Sequence, residues 1–132
     1  MQPAFRGFKQ HRRRERGPGE SSIQIAIRSW LLTVAPDLLV GHAANGELRN
    51  KRTAAKLKAM GVYPGWPDLQ LIGASGRLYF LEVKAGEGRL SDAQEAFRDE
   101  CIRRCIPFAV VRSIDDARTA LEAWGLTTRE AA

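Results

Sequence analysis

The sequence predicts an α/β domain, a mixed β-sheet flanked by α-helices. Apolar side chains recur at three- and four-residue steps from Ile23 to Val34, which is the period of a helix with one buried face. Residues 65–88 hold two apolar runs around the turn sequence Gly73-Ala74-Ser75-Gly76, a pattern typical of a β-hairpin. To about residue 125 the patterns follow the order helix, strand, helix, strand, strand, helix, strand, helix, which favours helices packed on a mixed sheet.

Length and composition predict one globular domain. The 132 residues are 44% hydrophobic and 27% charged, values typical of a soluble protein that buries its own core. No apolar run approaches the ~20 residues of a membrane helix, and the N-terminus shows no signal-peptide pattern. We therefore expect a cytoplasmic protein. Cys101 and Cys105 are predicted to be small apolar side chains on a helix, since no spacing of cysteines and histidines matches a zinc site.

The first 19 residues form a basic segment. Six basic side chains against Glu15 alone give a net charge of +5, out of +6 for the whole chain. We expect residues 1–19 to be a flexible arm that contacts phosphate backbones, with a solubilising tail as the alternative. The folded domain is expected over residues 20–126, followed by a frayed tail over 127–132. The candidate contact residues of the arm are Arg12, Arg13, Arg14 and Arg16.

The first predicted helix begins near Glu20 and ends before Pro36. Glu20 and Gln24 are four residues apart, so their side chains share a face and could point together into a site. The other interpretation of Glu20 is a favourable interaction with the positive end of the helix dipole. A short strand is predicted next at Leu38-Leu39-Val40, followed by a loop over residues 42–46.

A second basic stretch leads into the hairpin. No acidic residue occurs between Glu47 and Asp68, and a helix is predicted over Thr53–Met60 with Gly61 as its C-terminal stop. Its basic side chains are either solvated or in contact with phosphates, and the absence of an interleaved acid favours phosphate contact. These basic residues are Arg49, Lys51, Arg52, Lys56 and Lys58.

Three polar residues of the hairpin carry the functional prediction. Because side chains alternate along a strand, Glu82 and Lys84 emerge at the end of the apolar face that also holds Leu78 and Phe80. Asp68 stands where the preceding strand begins. A buried polar pair is unfavourable unless something binds it, and carboxylate oxygens suit Mg²⁺ or Mn²⁺, ions that support phosphodiester hydrolysis. The alternative is a turn-capping Asp68 and an ordinary ion pair on a solvated strand.

Three elements complete the chain. Ser91 and Gln94 have the spacing of a capping box at the start of a helix. A buried strand is predicted over Pro107–Arg112. Ser113 then caps a last helix, which ends at Gly125.

These residues resemble a known signature. Pro67-Asp68, followed after thirteen intervening residues by Glu82-Val83-Lys84, is similar to the signature of the PD-(D/E)XK nuclease superfamily. Longer segments resemble its VRR-NUC domain, the virus-type replication-repair nuclease, in a stand-alone phage or bacterial form. The resemblance extends from about Glu20 to about Gly125, and its segments are Gly65–Leu69, Phe80–Lys84, Gly88–Ser91 with Gln94, and Pro107–Val111.

The resemblance implies a PD-(D/E)XK nuclease-like fold and a metal-dependent deoxyribonuclease. It implies that Mg²⁺, with Mn²⁺ as a substitute, is bound by Asp68, Glu82, Glu20 and the backbone carbonyl of Val83. It further implies that catalysis depends on Asp68, Glu82 and Lys84, with Glu20 and Gln94 in support.

The resemblance also implies a biological setting. Stand-alone VRR-NUC proteins resemble Holliday-junction resolvases, so we expect a homodimer that cuts four-way DNA junctions in a bacterial cytoplasm or a phage-infected cell. Trp30 and Trp66 are candidates for the dimer interface, or else core residues. The alternatives are a sequence-specific restriction-type endonuclease and a non-catalytic DNA-binding subunit, which would be expected to lack an acid or the lysine.

Overall fold

The computed structural model describes residues 19–43 and 51–130. The predicted order of elements and the α/β class, a mixed sheet flanked by helices, are confirmed. The basic residues Arg12, Arg13, Arg14, Arg16 and Arg49 lie outside the described residues, and Lys51 and Arg52 are described only as part of a helix backbone. The elements are α1 (Glu20–Val34), β1 (Leu39–His42), α2 (Lys51–Ala59), β2 (Leu69–Ile72), β3 (Leu78–Val83), α3 (Asp92–Arg103), β4 (Phe108–Val111) and α4 (Ile114–Ala123).

Four strands form one sheet in the order β1-β2-β3-β4. The first three pair antiparallel, and β4 pairs parallel with β3. Leu69 pairs with Leu81, so the beginning of β2 and the end of β3 meet at the same end of the sheet. This pairing brings Asp68, one residue before β2, next to the last residues of β3.

The two faces of the sheet bury different side chains, as the predicted alternation requires. Leu69, Leu81 and Val83 belong to the main core, which α1 and α4 cover with Ile27, Leu31, Ala117 and Leu121. Phe80 lies on the other face with Phe97 and Cys101 of α3, and Leu78, Trp66 and Phe108 pack around them. The prediction of a buried helical side chain is therefore confirmed for Cys101. It is wrong for Cys105, which is exposed at a φ of +57° beyond the end of α3.

Capping residues fix where the last two helices begin. Ser91 accepts from the Gln94 backbone N–H, and the Gln94 side chain accepts in return from the Ser91 backbone N–H, which confirms the capping box. Ser113 likewise caps α4. The chain then leaves α4 through Gly125, whose φ of +75° is readily adopted by glycine.

The bounds of β1 and α2 differ from the prediction. β1 is displaced to Leu39–His42 because Leu38 takes part in a turn, its N–H donating to the Ala35 carbonyl, whereas His42 pairs with Leu69. α2 spans Lys51–Ala59 rather than residues 53–60, with Gly61 at a φ of +107° just beyond it.

The predicted frayed tail makes specific contacts at residues 129 and 130. The Arg129 N–H donates to the carbonyl of Val34, and the Glu130 carboxylate accepts from Trp30 Nε1 and pairs with Arg118. Those contacts hold the pKa of Glu130 down at about 2, mainly through the hydrogen bond from Arg118. This part of the tail is thus attached to α1 and α4. Within the described ranges, no helix is long and apolar enough to span a membrane.

Candidate active site

Asp68 and Glu82 meet where β2 begins and β3 ends. Asp68 Oδ2 accepts a hydrogen bond of 2.8 Å from the backbone N–H of Val83, which fixes the carboxylate against the end of β3. Glu82 is 2% exposed and Lys84 is 8% exposed, so neither belongs to a solvated strand. The interpretation of Glu82 and Lys84 as an ordinary surface ion pair is therefore wrong.

The pKa of Glu82 is strongly raised. Burial raises its pKa to about 8, with further contributions from the neighbouring Asp68 and, less strongly, Glu20, while Lys84 opposes the shift. Its Oε1 is buried and accepts no hydrogen bond from any described residue. A carboxyl group with one oxygen unsatisfied in a low-dielectric site is unfavourable unless a cation or a proton occupies it.

Lys84 and Glu20 border the same space. Lys84 Nζ lies 3.9 Å from Glu82 Oε2, and the Lys84 backbone N–H donates to the Val111 carbonyl, which extends the pairing of β3 and β4. Glu20, at the start of α1, reaches the site from the other face of the sheet. A Cβ placed on Gly88 would lie 3.8 Å from Lys84 Cδ and 3.9 Å from Glu20 Oε2. The side chains of Lys84 and Glu20 therefore both lie beside the loop at Gly88.

Gln94 connects the start of α3 to the buried acid. Its Nε2 donates to Glu82 Oε2 at 2.9 Å, while its Oε1 accepts from the Ser91 N–H at 2.8 Å. One side chain thus caps α3 and contacts Glu82. Because the cap takes the oxygen, the amide nitrogen must face Glu82.

Gly65 allows the loop before Asp68 to lie directly on α3. At a φ of +82°, a side chain there would be strained, and its Cβ would overlap the backbone of Ala93 and Gln94. The neighbouring Trp66 packs edge-to-face against Phe80 and Phe97. Glycine at this position therefore permits the loop before Asp68 to contact the first turn of α3 at Gln94.

Two residues at this end of the sheet were not predicted to lie there. His42 Nδ1 lies 2.7 Å from the carbonyl oxygen of Asp68, an acceptor, so this nitrogen carries the proton. Arg112, just after β4, donates from Nη1 to the Gly86 carbonyl at 2.8 Å. No sequence signal pointed to His42. The position of Arg112 follows from the parallel pairing of Val83 with Val111, which places Arg112 level with Lys84.

The remaining predicted residues lie elsewhere. Lys56 and Lys58 are exposed in the last turn of α2, where positive charge also suits the helix dipole. Both tryptophans are partly buried: Trp66 packs in the aromatic cluster, and Trp30 packs on the main core beneath the Arg118 guanidinium. Large apolar side chains that are exposed in the described residues are Ile25, Leu32, Leu39, Met60, Tyr63 and Ile102.

The donors at this site fit a hard divalent cation. Over residues 19–43 and 51–130, no three His, Cys, Asp or Glu side chains form a ready-made metal cluster. Asp68 and Glu82 nevertheless supply two adjacent carboxylates, and Glu82 Oε1 is unsatisfied. Mg²⁺ typically takes one or two carboxylates and fills its other positions with water and phosphate oxygens, so the pair meets its requirement.

The sequence profile of the VRR-NUC domain matches residues 19–115. The chain belongs to the VRR-NUC domain family. It is a nuclease domain, and the matched region contains both acids of the site, Lys84 and Gln94.

Solved structures agree with the VRR-NUC assignment in their fold. A structure described as a VRR-NUC domain protein superposes with a TM-score of 0.64 at 22% identity, over 81% of this chain and 88% of the other. A second, described as a VRR-NUC domain, gives a TM-score of 0.57 at 20% identity, over 80% of this chain and 96% of the other. No curated protein matches the sequence. The resemblance of this chain to the VRR-NUC domain is therefore confirmed for its family and its fold.

Proposed function

We propose that this VRR-NUC domain is a metal-dependent, structure-selective DNA endonuclease that acts as a homodimer on four-way junctions in the cytoplasm. The observation that carries the chemistry is the buried Glu82 with Oε1 unsatisfied, next to Asp68 and Lys84. The loops between elements are short over residues 51–130, which favours recognition of DNA shape and backbone over sequence.

Each side chain of the site has a distinct part in the proposed reaction. Lys84 is a compact positive charge 3.9 Å from Glu82 Oε2, and we assign it to orienting the attacking water and stabilising negative charge on the scissile phosphate. Gln94 fixes Glu82 Oε2 by donating to it, which leaves the buried Oε1 without a hydrogen-bond partner in the described residues. Asp68 is fixed by the Val83 N–H.

Asp68, Glu82, Glu20 and the Val83 carbonyl are the proposed ligands for Mg²⁺, with Mn²⁺ as a substitute. A bound divalent ion supplies Lewis acidity at the phosphate and a water of lowered pKa. The chain supplies the geometry: Asp68 and Glu82 come from adjacent strands, and Glu20 comes from the helix on the opposite face.

Cleavage of defined DNA structures tests the activity. Linear, nicked, flapped, forked and four-way DNA are incubated with the purified protein in Mg²⁺, in Mn²⁺ or in chelator. We expect cleavage with either ion, none with chelator, and the highest rate on the four-way junction. Cleavage confined to one duplex sequence would support the restriction-type alternative, and no cleavage of any substrate would support the non-catalytic one.

Variants of the three central residues test the assignment of roles. Asp68→Ala, Glu82→Ala and Lys84→Ala should each lower the cleavage rate roughly a thousandfold, because several kcal/mol of charge stabilisation is removed. DNA binding should be retained, since the basic surfaces remain. Glu87→Ala is the matched control, because Glu87 is an exposed acid on the adjoining loop. Undiminished cleavage by Glu82→Ala would contradict the assignment.

We propose a homodimer because resolving a four-way junction requires two symmetric cuts. One active site cuts one strand per encounter, whereas resolving a junction needs two symmetric cuts, and a two-fold dimer supplies two related sites. Two copies would also present two basic surfaces to the arms of the junction, which raises its affinity over duplex. Sedimentation should show a dimer at micromolar concentration. A monomer without preference for junctions would leave a general nuclease.

A further inference from the structure

Arg112 is a positively charged residue at the same end of the sheet as the proposed active site. The proposed reaction assigns it no role. β3 and β4 run parallel, with Val83 paired to Val111, so Arg112 follows β4 at the level where Lys84 follows β3. The Lys84 backbone N–H donates to the Val111 carbonyl, immediately before Arg112. The fold therefore places an arginine one strand away from the proposed catalytic lysine.

The Arg112 guanidinium is anchored to the loop of the site. Nη1 donates to the Gly86 carbonyl at 2.8 Å. Gly86 lies within the loop that runs from Lys84 to Gly88, and a Cβ on Gly88 would be in contact range of both Lys84 and Glu20. A group bound by Arg112 would thus adjoin the space that Lys84 and Glu20 border.

The charge of Arg112 is not neutralised by a carboxylate in the described part of the chain. Asp116, the nearby acid, uses Oδ2 to accept the Arg112 backbone N–H instead of the guanidinium. By contrast, Arg103, Arg104 and Arg118 each pair with an acid. Arg112 is exposed, and a guanidinium has five N–H donors, of which the Gly86 contact uses one.

We propose that Arg112 binds a backbone phosphate of the nucleic acid next to the scissile one. A planar guanidinium with free donors is matched to phosphate oxygens, which it can contact in a bidentate manner. The bond to Gly86 preorients it, so little side-chain freedom is lost on binding. This inference rests on the proposed nuclease function and adds a substrate-binding residue to it.

The variant Arg112→Gln separates the charge from the loop contact. Glutamine retains an N–H donor for the Gly86 carbonyl but carries no charge. Affinity for a four-way junction and for duplex is measured in chelator between 50 and 200 mM salt. One lost phosphate contact lowers the slope of log affinity against log salt by about 0.9, which corresponds to about a threefold smaller loss of affinity over that range.

Two further variants make the result decisive. Arg77→Gln removes the same charge from the turn at the opposite end of the sheet and should leave the salt slope near that of the wild type. Arg112→Lys keeps the charge and should restore most of the slope, while giving lower affinity than arginine because the fork is lost. An unchanged slope in Arg112→Gln, or an equal decrease in Arg77→Gln, overturns the proposal.

The test is independent of catalysis. Binding is measured without metal, so absence of cleavage in the wild type would refute the proposed reaction while the salt slope still reports on Arg112. Conversely, the enzyme could cleave DNA while its salt slope is unchanged in Arg112→Gln. That result would support the proposed nuclease function and refute the assignment of Arg112. Thermal unfolding of each variant shows whether the fold is intact. If Arg112→Gln misfolds, Arg112→Lys decides the question: it must retain most of the wild-type slope and bind DNA more weakly, and an unchanged affinity overturns the proposal.

Discussion

At the scale of single residues, the proposed metal ligand Glu82 also affects the stability of the protein. It is almost fully buried, it faces Asp68, and one of its oxygens has no described partner. Such an arrangement lowers the stability of the metal-free protein once the carboxyl group is ionised. The same arrangement creates the negative site that a cation would occupy.

Glu82→Gln should stabilise the metal-free protein at high pH. The pKa of Glu82 is raised from 4.5 to about 8 in the folded state, so the folded form binds the proton more tightly than the unfolded form. The stability contributed by this proton is present below about pH 4.5 and is lost as the pH rises through about 8. In chelator at pH 8.5, Glu82→Gln should melt at a higher temperature than the wild type, with a free energy of unfolding larger by an amount on the order of a few kcal/mol. Below about pH 4.5 the two proteins should be equally stable.

Metal addition provides the control for this prediction. Mg²⁺ or Mn²⁺ should raise the melting temperature of the wild type by binding the folded state, and should have much less effect on Glu82→Gln. Equal melting shifts in both proteins would show that the ion binds elsewhere. A melting difference independent of pH would exclude ionisation of Glu82 as its cause.

The sequence contained much of this residue-scale information, but not all of it. The alternation along β3 predicted that Glu82 and Lys84 share a face with Phe80, and the structure has that arrangement. The contact of His42 with the Asp68 carbonyl depends on the pairing of β1 with β2. Pairing between distant segments is set by tertiary packing, so no local pattern could reveal it.

At the scale of elements, the site depends on the close approach of α3 to the loop before β2. Gly65 lies against Ala93 and Gln94, and Gln94 both caps α3 and donates to Glu82. The capping box was predictable because it is local in sequence. The packing of Gly65 on α3 joins residues almost thirty positions apart and was not.

Gly65→Ala should disturb both stability and cleavage. The added methyl group requires a strained φ and overlaps the α3 backbone, so we expect destabilisation of roughly 1–3 kcal/mol and a reduced cleavage rate, because Gln94 and Asp68 move apart. Gly76→Ala is the control, since Gly76 has a similar φ of +87° with nothing within 4 Å of an added Cβ. The measurements are denaturant unfolding and single-turnover cleavage. Equal effects of the two variants on cleavage would contradict the role of the contact.

At the scale of the whole molecule, the net positive charge is concentrated in residues 1–19. Residues 1–19 carry six basic side chains against Glu15, and the exposed Lys56 and Lys58 belong to α2. The carboxyl-rich site lies at the end of the sheet where Asp68 and Glu82 meet. Composition alone predicted the basic segment, since its charge is evident from the residues themselves.

Deleting residues 1–16 should weaken DNA binding by a similar factor for every sequence. Each phosphate contact that the arm makes contributes about 0.9 to the salt slope, so the slope should become shallower. Cleavage at saturating DNA should persist, because the acids and Lys84 remain. Affinities are measured against salt for two unrelated sequences, and an unchanged slope would mean that the arm is only a solubilising tail.

The turn between β2 and β3 has a practical consequence. Its N–H groups at Gly73 and Gly76 are satisfied within the turn, and Ala74 and Ser75 are exposed. Because β2 begins and β3 ends beside the acids, this turn lies at the other extremity of the sheet. A short peptide tag inserted between Ala74 and Ser75 would therefore tether the molecule to a glass surface with its acidic end facing the solution, as single-molecule observation of DNA turnover requires.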